Sequence, residues 1–245
     1  MEKKIKEPSK AYKNLDFINS KEARILRILA EYMEPKKRLS QMGILNTVVF
    51  FGSSRIRAEN DNMFSQCYFA AEKLSYKLSV WANKIKKEKK KHFCVCTGGG
   101  PGIMEAANKG AARAKAPSVG FNISLPKEQY SNQFIPSELN FEFHYFFMRK
   151  FWFLYQAKAI VVFPGGFGTM DELFEALTLI QTHKLSQKKI PILLYDKKFW
   201  NDIINFEKLV KYGLISSEDL NLFHFFSDID DGFNYLIDKL SDLLL

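Results

Sequence analysis

Three segments of the chain share one pattern, in which an apolar strand ends in a small polar or glycine-rich loop and a helix follows. They are strand 47–51 with loop 52–55, strand 92–96 with loop 97–102, and strand 159–163 with loop 164–169. Strands that alternate with helices form parallel sheets, because each crossover helix returns the chain to the edge from which the next strand starts. The pattern predicts an α/β fold, a Rossmann-like doubly wound parallel sheet flanked by helices. The three loops are expected to meet at the carboxyl edge of that sheet.

The remaining elements complete this prediction. Strands are predicted at residues 118–124, 141–145 and 191–195, and helices near residues 62–86, 103–115, 147–156, 173–182, 199–211 and 228–244. Residues 1–45 are predicted to be a basic N-terminal extension with one helix, which Ser20 caps and which runs to about Met33. Residues 46–245 are predicted to form a single Rossmann-like nucleotide-binding domain. A long loop at 125–140 is expected to lie over the site.

The net charge of +9 raises the question of a nucleic-acid partner. Residues 1–40 hold 11 Lys and Arg against 6 Asp and Glu, and residues 84–92 hold 6 Lys against 1 Glu, so the rest of the chain is close to neutral. The lysine-rich string KIKKEKKK contains no aromatic residue, whereas single-strand binders interleave aromatic and basic side chains. The charge therefore favours a solvated leader and an exposed connection over a nucleic-acid site.

The sequence does not predict secretion or membrane insertion. The N-terminus lacks an apolar signal core, and no segment approaches the length of a membrane span. Cys67, Cys94 and Cys96 are too few for a disulfide framework and wrongly spaced for a four-ligand zinc site. We predict a cytoplasmic protein with no metal site and no membrane partner.

The glycine-rich loops do not match the two best-known nucleotide fingerprints. The chain has no Gly-x-x-x-x-Gly-Lys string followed by Ser or Thr, which disfavours hydrolysis of nucleoside triphosphates. Gly98 and Gly100 are followed by Ile103, where a dinucleotide site requires a third glycine, so NAD is not expected. Short glycine loops without a catalytic lysine suit a monophosphate at a helix N-terminus.

Two carboxylates, Asp171 and Glu172, follow the loop at 164–169 directly. A site that only bound phosphate would gain little from acidic residues there. Carboxylates beside a phosphate-binding loop therefore indicate a reaction on a phosphorylated small molecule. The string from Thr169 to Glu172 also fits a capping box, in which both residues serve only to begin the helix. The adjacent glycines and the second glycine loop favour the catalytic interpretation.

Arg149 is open to two interpretations of the same kind. It lies in an aromatic stretch, with Phe146 and Phe147 before it and Phe151 and Trp152 after it. A long basic side chain often extends from an apolar helix to reach solvent. A cation held among aromatic residues just before the strand that leads into the loop at 164 could instead bind a phosphate or a carboxylate.

Three strings in the chain closely resemble the motifs of the LONELY GUY family. They are GGGPGIMEAANKGA at 98–111, FFMRK at 146–150 and PGGFGTMDELFEALTLIQT at 164–182, and the resemblance covers roughly residues 46–211. Members of that family are phosphoribohydrolases, which release the base from cytokinin riboside 5′-monophosphates or AMP. The resemblance implies a Rossmann-like fold and hydrolysis of the N-glycosidic bond of an adenine-type nucleoside 5′-monophosphate, with or without an N6 substituent. It also implies homo-oligomers, dimers or hexamers, with sites near subunit contacts and no cofactor.

The resemblance further implies roles for individual residues. The catalytic Arg and Glu of the family fall on Arg149 and Glu172. Its phosphate-binding residues fall on Gly165, Gly166, Gly168 and Thr169, and further substrate contacts are expected from Gly99, Gly100, Glu105, Met148, Lys150 and Ser53. Glu172 would stabilise the positive charge that develops on the ribose, orient water, or both. Arg149 would bind the nucleotide and help to fix Glu172.

A different class of function competes with the enzyme. A non-catalytic carrier or regulator that binds a nucleotide or cofactor on the same fold would keep the glycine loops, because a fold does not dictate its function. Such a carrier has no need for Arg149 together with Glu172, and the presence of both favours the phosphoribohydrolase.

Overall fold

The computed structural model describes residues 8, 10–59, 64–89, 93–124, 130–185 and 190–241. The strands are β1 (Asn46–Phe51), β2 (Phe93–Thr97), β3 (Ser118–Ile123), β4 (Asn140–Phe143), β5 (Ala157–Val162), β6 (Ile192–Tyr195) and β7 (Phe223–Phe226). The α-helices are α1 (Leu15–Ile18), α2 (Arg24–Gln41), α3 (Ser65–Lys89), α4 (Ile103–Arg113), α5 (Phe146–Tyr155), α6 (Phe167–Gln181), α7 (Lys197–Ile203), α8 (Phe206–Lys211) and α9 (Ile229–Ser241). Short 3-10 helices lie at Ala11–Lys13, Ser137–Leu139 and Ser217–Leu222.

The strands form one seven-stranded sheet in the order β4-β3-β2-β1-β5-β6-β7. Every neighbouring pair is parallel, which confirms the predicted doubly wound α/β fold. The chain builds outward from β1 to β4 and then returns to place β5 on the other side of β1. The strand order therefore reverses between β1 and β5, and open α/β sheets bind ligands in the crevice at such a switch point.

Helices cover both faces of the sheet, which explains why the central strands β1, β2 and β5 are apolar without alternation. On one face, side chains from α2, α5, α6 and α7 pack with the strands, among them Leu39, Trp152, Leu173 and Trp200. On the other face, α3, α4 and α9 supply a second cluster that includes Leu74, Ala107 and Leu236. The three cysteines are buried in these clusters and free.

The end of the chain differs from the prediction in two places. The expected helix at 199–211 is two helices, because Asn205 leaves the helical conformation and its side chain accepts a hydrogen bond from the N–H of Lys208 to begin α8. The strand β7 was not predicted. Its sequence, Phe-His-Phe-Phe, is short and does not alternate, and only its pairing with β6 makes it a strand.

The predicted helix of the N-terminal extension is later and longer than expected. Ser20 Oγ accepts a hydrogen bond from the N–H of Ala23 at 3.4 Å, but the regular helix α2 begins at Arg24. It then continues through Pro35 to Gln41, and Pro35 and Leu39 are buried against the core. The end of the extension is thus packed on the sheet through α2.

Some predictions fall on residues outside the described ones. These are helix residues 62–63 and 242–244, the lysine-rich residues 90–92, and loop residues 125–129. Within the described part of the chain, no helix combines the length and apolarity needed to cross a membrane.

Candidate active site

A cavity of about 630 Å³ opens at the switch point between β1 and β5. Its walls come from the loop after β1, from the glycine loop after β2, and from the first turns of α6, with α5 closing one side. The lining residues are Phe51, Gly52, Ser53, Ser54, Arg55, Gly98, Met104, Ile123, Phe146, Arg149, Phe153, Gly166, Phe167, Gly168, Thr169, Met170, Asp171 and Glu172. The three loops that the sequence predicts at one sheet edge do meet around this cavity.

The N-terminus of α6 faces the cavity and has the features of an anion-binding site. Gly166 precedes the helix without a side-chain cap, and the N–H of Met170 is the first to bond a helical carbonyl, that of Gly166 at 3.0 Å. By helix geometry, the N–H groups of Phe167, Gly168 and Thr169 have no carbonyl partner within the helix. Backbone N–H groups at the positive end of a helix dipole bind phosphate well.

The alternative interpretation of Thr169 and Glu172 as a capping box is wrong. The helix already begins at Phe167, so Thr169 lies inside its first turn instead of preceding it. The Thr169 side chain occupies the space where a Cβ on Gly165 would lie, and the N–H of Ser53 closes that space from the other side. Gly165 thus lets the loops after β1 and β5 approach each other, and Glu172 is left without a structural role as a cap.

Glu172 is a buried carboxylate in the wall of the cavity. Its side chain is part of the core side of α6, and the residue is 6% exposed. Its Oε2 accepts no hydrogen bond from the described residues, and its nearest cation is Lys150, with Nζ at 3.4 Å from Oε2. Burial raises the pKa of Glu172 to about 7, although Lys150 and Arg149 oppose this and Glu175 and Asp171 add to it. A group with this pKa can gain or lose a proton at neutral pH.

Lys150 connects α5 to three carboxylates of α6. Its Nζ lies 2.9 Å from Asp171 Oδ2, 3.4 Å from Glu172 Oε2 and 2.7 Å from Glu175 Oε2. Burial lowers the pKa of Lys150, but the hydrogen bonds to Glu175 and Asp171 and the charge of Glu172 outweigh it and raise the pKa to about 12. Lys150 is therefore a permanent cation next to Glu172, and it lines a second cavity, together with aromatic residues of α5, instead of this one.

Arg149 lines the cavity and is held in place from two sides. Its Nε donates a hydrogen bond to the carbonyl of Phe121 at 2.7 Å, and its guanidinium lies 5.0 Å from the centre of the Phe153 ring. Burial lowers the pKa of Arg149 while Glu172 raises it, so the two groups interact electrostatically. A Cβ on Gly98 would lie 2.5 Å from Nη2 of Arg149, and the glycine thus provides the room for the guanidinium.

The second glycine loop is held by a buried polar network. The side chain of Asn132 donates to the carbonyls of Gly99 and Gly100 at 3.1 Å each, and its Nδ2 also lies 2.9 Å from Asn108 Oδ1. Thr97 Oγ1 accepts from the N–H of Gly99 and donates to Asn108 Oδ1. Asn132 belongs to the loop that was expected to lie over the site, and these bonds tie that loop to the glycines.

The structure thus divides the predicted site residues into two groups. Arg149, Glu172, Gly166, Gly168, Thr169 and Ser53 line the cavity, whereas Gly165, Gly99, Gly100, Glu105, Met148 and Lys150 do not. Glu105 accepts a hydrogen bond from Tyr68 at 2.8 Å on the α3 side, and Met148 is buried in the core.

Sequence reasoning missed two aromatic residues at the mouth of the cavity, Phe146 and Phe167. A phenylalanine inside a glycine loop is an unusual choice, and Phe167 is 94% exposed, so this residue could have been singled out. Phe153 and Ile123 also line the cavity, but they come from core elements and carry no local signal.

The sequence and the fold of this chain are similar to those of known proteins. The family model described as "Possible lysine decarboxylase" matches residues 104–236, more than half of the chain. No curated protein matches the chain. The X-ray structure of TM1055, a structural genomics target, is similar with a TM-score of 0.53 at 20% sequence identity, over 79% of this chain and 99% of that chain.

The molybdenum cofactor carrier protein MCP from Chlamydomonas reinhardtii is also similar. Its TM-score is 0.54 at 16% identity, over 80% of this chain and 98% of that chain. At identities this low, the two likenesses show a common fold alone.

Proposed function

Because the chain belongs to the family described as possible lysine decarboxylases, the LONELY GUY-like family, we propose that it hydrolyses nucleoside 5′-monophosphates. The bond cleaved is the N-glycosidic bond of an adenine-type substrate, and the products are the free base and ribose 5-phosphate. The observation that carries this proposal is a buried carboxylate with a pKa of about 7, Glu172, in one cavity with Arg149 and an uncapped helix N-terminus.

The reaction develops positive charge on the ribose as the bond to the base breaks. The N-terminus of α6 binds the 5′-phosphate, so that binding energy from a group that does not react positions the sugar. The carboxylate of Glu172 then stabilises the charged ribose and orients the attacking water. Arg149 binds the nucleotide and fixes Glu172 through their electrostatic attraction.

Decarboxylation of lysine fits this site less well. That chemistry commonly uses a lysine that forms a Schiff base, and such a lysine must lose its proton near neutral pH. The pKa of Lys150 is raised to about 12, and three carboxylates surround its ammonium. Lys150 is thus suited to holding the site together and unsuited to nucleophilic attack.

The proposal is tested by a chromatographic assay with purified protein and a panel of 5′-monophosphates: AMP, N6-isopentenyl-AMP, GMP, CMP and UMP. We expect free base and ribose 5-phosphate in equal amounts from one or both adenine nucleotides. Tight nucleotide binding with no base released from any substrate would instead support the alternative, a non-catalytic carrier. The Chlamydomonas neighbour is named as a carrier of the molybdenum cofactor.

The same family assignment leads us to propose a homo-oligomer, a dimer or hexamer, in the cytoplasm. Three aromatic side chains of α5, Phe147, Phe151 and Tyr155, are partly exposed and line a second cavity with Lys150, which supports burial in a subunit contact. The three free cysteines fit a reducing compartment.

Activity is expected to rise with pH through a midpoint near 7. Glu172 is active as a carboxylate. Burial raises the pKa of Glu172 to about 7, so below that pH its side chain is protonated and activity is lost. The measurement is kcat/KM from about pH 5.5 to 8.5, which reports the free enzyme. The phosphate of the substrate also titrates, with a pKa near 6.

The variant Lys150→Met separates the two titrations. It removes a charge that lowers the pKa of Glu172, so the midpoint should move up, while the phosphate of the substrate is unaffected. A midpoint near that of the phosphate, unchanged in Lys150→Met, would contradict the assignment to Glu172.

Phe167→Ala is expected to raise KM for AMP about tenfold with little change in kcat, because stacking of a base on an aromatic ring contributes roughly 1–3 kcal/mol. Phe167 is 94% exposed at the mouth of the cavity, so its removal should leave the melting temperature unchanged. Phe174→Ala is the matched control, because Phe174 lies two turns further along α6 and outside the cavity lining. Equal KM values for both variants would show that the base binds elsewhere.

A further inference from the structure

Glu31 joins the N-terminal extension to the helix that carries Arg149. Its Oε1 accepts a hydrogen bond from the N–H of His144 at 2.8 Å, and its Oε2 accepts one from the N–H of Tyr145 at 3.2 Å. Its main-chain carbonyl accepts a third from Nε1 of Trp152 at 2.9 Å. A single residue of α2 therefore forms hydrogen bonds both with the two residues that precede α5 and with Trp152 inside α5.

The carbonyl of Glu31 is free for Trp152 because of the residue four positions later. In a regular helix this carbonyl would accept from the N–H of residue 35, but residue 35 is a proline and has no N–H. Pro35, which would normally break a helix, thus leaves the carbonyl of Glu31 free to accept the hydrogen bond from the indole of Trp152. Tyr32 adds packing at the same contact, with ring centres 5.6 Å from Phe151 and 6.0 Å from Trp152.

The beginning of α5 lacks a cap of its own. Tyr145 stands at the capping position, and its side chain accepts no hydrogen bond from the helix. The two oxygens of Glu31 take the N–H groups that precede the helix and add a negative charge at the positive end of its dipole. A residue 114 positions earlier in the chain thus supplies what the local sequence does not.

This contact lies one helical turn from Arg149, one of the two proposed catalytic residues. Tyr145 donates its N–H to Glu31, and its carbonyl accepts a hydrogen bond from the N–H of Arg149 at 3.2 Å. The next residue, Lys150, reaches the three carboxylates of α6. We propose that Glu31 is a positioning residue for Arg149 and Lys150, and that the N-terminal extension is thereby a working part of the active site. This inference rests on the proposed function.

The test compares Glu31→Gln with Glu34→Gln. Glutamine has the size of glutamate but keeps only one acceptor oxygen and turns an NH₂ group toward the second backbone N–H. Glu34 is the matched control, because it lies one turn further along α2, is exposed, and pairs with Arg38 of the same helix. Kinetics are measured well below the melting temperatures of both variants, which circular dichroism gives.

For Glu31→Gln we expect kcat/KM to fall about tenfold or more, since small displacements of catalytic groups are costly. The midpoint of the pH profile should also move up. Arg149 and Lys150 of α5 lower the pKa of Glu172, whereas Asp171 and Glu175 of α6 raise it, so a displaced α5 leaves the carboxylate less ionised. Glu34→Gln should match wild type in both measurements.

Wild-type kinetics for Glu31→Gln would overturn the positioning role. Reduced activity with an unchanged pH midpoint would also overturn it, because Arg149 and Lys150 would then have kept their positions beside Glu172. A wild type that releases no base overturns the proposed function alone. The positioning role is then tested by calorimetry with AMP, which Arg149 would bind. We expect about tenfold weaker affinity for Glu31→Gln than for Glu34→Gln. Equal affinities, or no binding by any of the three proteins, would overturn it.

Discussion

Glu172→Gln is expected to lower the rate of base release by roughly 10²–10⁴-fold, the usual contribution of a catalytic carboxylate, and to leave AMP binding nearly unchanged. Glutamine fits the same space but cannot carry the negative charge that stabilises the ribose. Calorimetry gives the affinity for AMP and chromatography gives the rate. A variant that releases base at the wild-type rate would contradict the role of Glu172.

The stability of this variant has an expected sign. Because the pKa of Glu172 is raised from its ordinary value of 4.5 to about 7 in the folded protein, ionisation of this carboxylate costs stability as pH rises through that range. Above pH 7 the neutral glutamine avoids this cost, so the melting temperature of Glu172→Gln should be equal to or above that of wild type.

Glu72→Gln is the matched control, because Glu72 is also a buried glutamate but lies on α3, away from the cavity. Its carboxylate pairs with Lys109 at 3.1 Å and with Arg113. Loss of one partner of a buried ion pair is destabilising, so this variant should melt earlier than wild type while each folded molecule keeps full activity.

Arg149→Met is expected to lower kcat/KM about 100-fold, because Arg149 would bind the charged nucleotide and loss of one partner of a desolvated charge contact between binding partners costs about 2–5 kcal/mol. The variant loses the hydrogen bond to Phe121 and the cation beside Glu172. Without that cation the pKa of Glu172 should rise further, so the loss should be larger below neutral pH than above it. Kinetics at two pH values measure this difference.

Arg113→Met controls for the loss of an arginine. Arg113 pairs with Glu72 on the face of α4 turned to α3, and it does not line the cavity. Its removal should leave kcat/KM unchanged. The hydrogen bond of Arg149 to Phe121 already excludes the alternative that this side chain only extends to solvent. If Arg149→Met were as active as Arg113→Met, Arg149 would have no role in catalysis or in nucleotide binding.

The sequence predicted the loops better than the elements that support them. Glycine loops after apolar strands are local signals, and their meeting at one sheet edge follows from parallel strands. The strand β7 and the helix through Pro35 could not be predicted, because each depends on a partner distant in the chain. For β7 the partner is β6, and for Pro35 it is Trp152, which uses the freed carbonyl of Glu31.

The candidate site shows the same division. The positions of Arg149 and Glu172 in their motifs were evident from the sequence, but their electrostatic state was not. Both the burial of Glu172 and the pairing of Lys150 with three carboxylates arise where α5 packs beside α6. The capping-box interpretation of Thr169 was wrong because the cap position of the helix is Gly166, three residues earlier.

The order of apolar strands, glycine loops and helices thus determined the fold class and the edge of the sheet at which a ligand binds, because those depend on local pattern and chain connectivity. Tertiary structure alone decided which charged groups face one another. It brought Glu31 to α5 and Lys150 to α6, and it raised the pKa of Glu172 to about 7. A pKa depends on burial and on charges within a few ångströms, and those neighbours come from parts of the chain that the sequence does not place together.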